Sequence, residues 1–86
     1  MTSDTRLILA IRTILVTTRV AFRSNQLAGM EELARGAARS GLEMLERLRQ
    51  EMPPDAAERL SRAVNDAERG IRELIATPGD GRPPDR

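Results

Sequence analysis

From Leu27 to Leu48, apolar and small residues recur at Leu27, Met30, Ala34, Ala37, Gly41, Met44 and Leu48, in alternating steps of three and four. That spacing keeps one stripe on one side of an α-helix, whereas a strand alternates every two residues. Pro53 and Pro54 close the segment, because proline disfavours helical geometry in the residue before it and suits the first turn of a new helix. With chain on both sides, this segment is expected to be the central helix of a bundle.

The residues after the prolines repeat the pattern. Ala57, Leu60, Val64, Ala67, Ile71 and Leu74 fall at steps of 3, 4, 3, 4 and 3, which predicts a helix over 55–76. A short connection makes it antiparallel to the central helix. Thr77, Pro78 and Gly79 stop it. The segment 78–86 is rich in Gly, Pro and charge and is expected to be a disordered tail on a single helical domain, 1–77.

Ahead of the central helix, Leu7, Ile8, Ile11, Ile14, Leu15, Thr18, Ala21 and Phe22 share one wide helical face, which predicts a first helix over 5–23 with that face in the core. Ser3 or Asp4 is placed to cap it. Its β-branched residues would also suit a strand, but the period favours a helix. Leu9, Val16 and Val20 form a second apolar stripe on the side that should be polar. Ser24, Asn25, Gln26 and Gly29 mark a break, with Ser24 or Asn25 as the cap of a central helix over 26–52. The rival reading is one helix over 5–52, because Leu9, Thr13, Val16, Val20, Arg23, Leu27, Met30 and Ala34 continue without interruption at steps of four and three. The expected fold is therefore all-α: a three-helix bundle with an antiparallel hairpin of its last two helices, or the long helix plus a shorter one, assembled as an oligomer.

Size bears on that assembly. A chain of 86 residues buries only about 60% of the surface its unfolded form exposes. It has no Cys for a disulfide and no Cys or His for a zinc site, and Phe22 is its one aromatic residue. Packing has to hold it, and a homo-oligomer, a dimer in particular, is expected. Ala34, Gly36, Ala37, Ala38, Ser40 and Gly41 are all small, which suits close approach by a neighbouring helix. Glu31 with Arg35, Arg39 with Glu43, Glu43 with Arg47 and Arg47 with Glu51 are spaced i, i+4, as are Glu58 with Arg62, Arg62 with Asp66, Glu68 with Arg72 and Arg69 with Glu73. These read as solvated outer faces.

The residue inventory narrows the chemistry. Without His, Cys, Lys, Tyr or Trp, proton transfer near neutral pH would fall to a buried carboxylate, and every acid is expected on an outer face or in the tail. No catalytic residues, no metal ligands and no cofactor are assigned, and the chain is read as non-enzymatic. A carboxylate metal site in a bundle would need a Glu-x-x-His element, and no glycine-rich phosphate loop is present. The longest apolar run, Leu7 to Phe22, is broken by Arg12 and Arg19, so no transmembrane span or secretory signal is expected and the location is taken as cytoplasmic. Residues 5–23 do share the Arg-rich, acid-poor character of an organelle presequence.

All 14 basic residues are Arg, which we attribute to codon bias. Residues 1–30 carry Arg6, Arg12, Arg19 and Arg23 against Asp4 alone. Two features admit a recognition role beside a plain structural one. The arginines of the first helix suit a solvated face or pairing with acids of a neighbouring helix first, and Leu9, Val16 and Val20 equally suit burial against the third helix. Leu9, Val16, Val20, Leu27 and Met30 are candidate interface residues for a second copy or an unidentified protein partner. Arg6, Arg12, Arg19 and Arg23 form a basic edge that would border that contact. Alternatively the edge meets nucleic acid, or the first helix lies on a membrane surface as an amphipathic segment. The reading is a self-associating helical interaction module, coiled-coil-like in its packing: an adaptor, small regulator or assembly subunit.

Overall fold

In a computed structural model of the chain, residues 3–76 are described, and their regular structure is all helix, in four helices. Helix α1 spans Ser3–Leu27, α2 Glu31–Glu51, α3 Pro54–Arg59 and α4 Ser61–Ala76. The segment expected to be a disordered tail, 78–86, lies outside the described residues.

Helix α1 packs along both α2 and α4, and α2 also packs along α4. The expected wide face of α1 turns inward. Ile11, Thr18 and Phe22 are buried, while Leu7, Ile14 and Leu15 pack partly against the core. Ile8 departs from that face and is exposed. Helical period wins over β-branched propensity because it delivers these side chains to one side. Asp4 lies in the first turn of α1, where its carboxylate takes Arg59 as a partner.

The break between the first two helices falls later than expected. Ser24 and Asn25 do not cap a new helix; both lie within α1, where Asn25 Nδ2 donates to the Ala21 carbonyl at 2.8 Å. Gly29 ends α1 with φ of 77°, its N–H donating to Gln26 O at 3.0 Å, and Met30 N–H reaches Asn25 O at 2.8 Å. This pair of bonds is the Schellman arrangement, which needs a left-handed residue that glycine supplies without a Cβ penalty. A single helix over 5–52 is therefore not formed. Met30 stands at the start of α2 with no side-chain cap.

On α2 the buried line is Ala34, Ala38, Gly41 and Leu45, continued by Leu48 and Met52. It corrects the expected seam: Leu27, Met30 and Met44 are exposed, and the core line lies next to them on the wheel. Two interleaved stripes at the same spacing exist on this helix, and position against α1 and α4 selects one. Gly41 belongs to the selected line. A Cβ there would stand 2.9 Å from Thr18 Cγ2 and 3.1 Å from Ile71 Cδ1, and closer still to Thr18 Oγ1. Close approach is thus the reason for Gly41, whereas a Cβ on Gly36 would meet nothing within 4 Å.

The helix expected over 55–76 is interrupted. Leu60, with φ −103° and ψ 7°, separates α3 from α4, and Ser61 Oγ donates to Glu58 O at 3.1 Å, drawing on a backbone acceptor at the joint. The apolar spacing survives, so Leu60, Val64, Ala67 and Ile71 all reach the core, joined by Ala56.

A candidate interaction surface on the first two helices

Among the described residues, the exposed large apolar side chains are Ile8, Leu9, Val16, Val20 and Leu27 on α1, Met30 at the corner, and Leu33 and Met44 on α2. None belongs to α3 or α4. The five candidate interface residues, Leu9, Val16, Val20, Leu27 and Met30, are between 49% and 81% exposed. At 3.6 residues per turn, Leu9, Val16, Val20 and Leu27 lie along the back of α1, opposite Ile11, Thr18 and Phe22. They share one row, and no part of the described chain covers it. The sequence reading missed Leu33. Its signal was available, three residues after Met30 and four before Ala37, but the stripe through Ala34 matched the same spacing.

Arg6, Arg12, Arg19 and Arg23 are all exposed. None of them forms an ion pair among the described residues. On the wheel, Arg12, Arg19 and Arg23 border the apolar row on the side nearer α4, and Arg6 stands on the other side. Leu15 and Arg19 lie beside Gly70, so Arg19 is the member that reaches toward α4. An open depression beside it is lined by Arg19, Val20, Arg23 and Ser24. The basic edge and the apolar row thus meet on one helix, with no acid among them.

The described ion pairs lie elsewhere. Glu68 was expected to face outward with Arg72; instead it is buried, and Arg49 of α2 is its nearer partner. Arg49 Nη2 donates to Glu68 Oε1 at 3.0 Å and to Asn65 Oδ1 at 2.9 Å, and Nη1 donates to Glu46 Oε1 at 2.9 Å, while Arg72 stands 4.0 Å from Glu68. The hydrogen bond to Glu68 is the chief cause of a raised Arg49 pKa, so this guanidinium stays charged. Glu68 sits four residues after Val64 and three before Ile71, on the core face, which the sequence already displayed. Arg59 holds Asp4 with Nε and Nη2 at 2.8 and 2.9 Å, and that bidentate contact lowers the Asp4 pKa and raises that of Arg59.

On α2, Arg39, Glu43, Arg47 and Glu51 are not drawn into the expected i, i+4 pairs among the described residues, and neither are Glu31 with Arg35 or the pairs through Arg62. Exposed pairs contribute little against the entropy of two long side chains, so their absence costs little. Among the described residues there is no group of three or more acids that could hold a metal ion, and no helix is long and apolar enough to cross a membrane. No family, curated protein or solved structure matches this chain in the comparisons made.

Proposed function

We propose that this chain is a non-enzymatic, self-associating helical interaction module that works as an adaptor, small regulator or assembly subunit, most simply as a dimer. One observation carries the reading: the row Leu9, Val16, Val20 and Leu27, with Met30 at the corner, is exposed along the back of α1 and is covered by nothing in the described chain. A contiguous apolar row of this kind marks a surface that a partner removes from water. The basic edge would lie at the rim of that contact.

The proposal takes α1, α2 and α4 as a three-helix bundle in which α2 and the α3–α4 segment form an antiparallel hairpin. Pairing order supports this: Gly41 sits against Ile71 and Arg49 against Asn65 and Glu68, so one helix is read forwards as the other is read backwards.

Light scattering on the full chain and on Val16→Glu tests the module. A wild-type dimer that the substitution converts to a folded monomer is the expected result, because a charge in the middle of the row would have to be desolvated on association. A folded wild-type monomer at every concentration would overturn it.

A second reading is favoured by the unpaired arginines beside the row: α1 docks on an anionic lipid surface, apolar side inward and guanidinium groups at the phosphates. Sedimentation with anionic vesicles, lost in Arg12→Glu/Arg19→Glu, would show it.

A further inference from the structure

Among the described residues, the exposed large apolar side chains are confined to α1, α2 and the corner between them, and the two rows differ in their borders. The charged residues that border the α1 row are Arg6, Arg12, Arg19 and Arg23, since Asp4 is the helix's single acid and is held by Arg59. The α2 row runs from Leu33 past Ala37 and Ser40 to Met44, with Glu51 in line beyond it and Glu32, Glu43, Arg39 and Arg47 on its outer side. Its middle is low, because Ala37 and Ser40 are small.

We infer that two copies associate crosswise, α1 of each lying on α2 of the other, so that Leu9, Val16 and Val20 cover Leu33 and Met44 twice about a two-fold axis. The inference rests on the self-association proposed above and specifies which surfaces meet.

Three considerations select this occupant. Pairing α1 with α1 would bring eight arginines to one interface with no acid between them, and like charges facing each other across a contact oppose association. That pairing would also leave Leu33 and Met44 exposed. The crossed arrangement brings Arg12 and Arg19 toward a border in which Glu32 and Glu43 stand with Arg39 and Arg47, so acids come within reach where α1 on α1 would offer none. It also covers both rows at once, and a two-fold axis requires each contact to occur twice. The two α1 and two α2 helices would then form a four-helix layer, with α4 of each copy on its outside.

The test is sedimentation equilibrium of the full chain at low and high salt, on the wild type, Leu33→Glu, Met44→Arg and Arg12→Gln/Arg19→Gln. Circular dichroism melting confirms that each variant is folded; Leu33 and Met44 are exposed, so either substitution is tolerated by the monomer. The crossed dimer predicts that Leu33→Glu and Met44→Arg each raise the dissociation constant by about tenfold or more, although neither lies on α1. It predicts that the double arginine variant raises it severalfold and that salt weakens the wild-type dimer. A dimer indifferent to Leu33→Glu and Met44→Arg, and tightened by salt or by loss of the arginines, would overturn the crossed packing in favour of α1 on α1 while leaving self-association intact. A dimer weakened by the α2 variants but indifferent to Val16→Glu and to the arginine variant would overturn it in favour of α2 on α2. A wild-type monomer at every concentration would overturn both inferences together, and vesicle binding by that monomer would assign the row to lipid.

Discussion

Two glycines of α2 carry opposite expectations although both lie inside one helix. Gly41 has Thr18 and Ile71 where a side chain would go, so Gly41→Ala forces α1 and α4 outward. Overpacking of this kind costs about 1–3 kcal/mol. Gly36 has open space there, and Gly36→Ala should stabilise the helix by about 1 kcal/mol through propensity alone. Urea midpoints, measured at low protein concentration, should move in opposite directions. Glu68 supplies a second residue-level expectation. Its buried carboxylate depends on Arg49, so Arg49→Ala leaves it with Arg72 at 4.0 Å and should destabilise by about 1–3 kcal/mol in the same measurement. Arg49→Lys should recover only part of that, since one ammonium does not reproduce a fork that serves Glu46, Asn65 and Glu68 together.

At the scale of elements, the two turns show how differently boundaries are written. Pro53 and Pro54 announce the end of α2 directly, through the residue before a proline and the first turn after it. The α1–α2 turn is written in Gly29, whose positive φ closes two backbone hydrogen bonds onto Gln26 and Asn25. The cluster Ser24, Asn25 and Gln26 suggested an earlier break because such residues often cap helices, yet here they continue α1. Gly29→Ala should cost about 1 kcal/mol, and Gly29→Asn less, because asparagine tolerates the left-handed region. Thermal melting followed by circular dichroism would rank the two. The α3–α4 joint has no comparable signal, since a one-residue interruption at Leu60 leaves the apolar spacing unchanged.

For the whole molecule, the contact between Asp4 and Arg59 ties the start of α1 to the end of α3, 55 residues away along the chain. The hydrogen bond from Arg59 holds the Asp4 carboxyl below its usual 3.8. Between the lowered native value and the unfolded one, the unfolded chain binds more protons, so stability rises with pH across that interval. The contribution is therefore present above about pH 4 and is lost as pH falls through the native value. The urea midpoint of the wild type should exceed that of Asp4→Asn at about pH 5, and the gap should close as the pH is taken to about 2. Arg59 is exposed and Asp4 only half-buried, so high salt should narrow the gap as well.

The sequence by itself determined that the chain is helical, that Ile11, Thr18 and Phe22 face inward, that Leu60, Val64, Ala67 and Ile71 form the core line of the last helix, and that Leu9, Val16 and Val20 stand apart from the first helix's core face. Those features are local: spacing on one helix is enough to state them. Tertiary structure decided which of two equally spaced stripes on α2 is buried, that Glu68 lies inside with Arg49, and that Leu33 and Met44 stay exposed on α2. A repeat of three and four identifies that a helix has an apolar side. When two such sides overlap, as at Ala34 and Ala37, only the positions of the neighbouring helices choose between them.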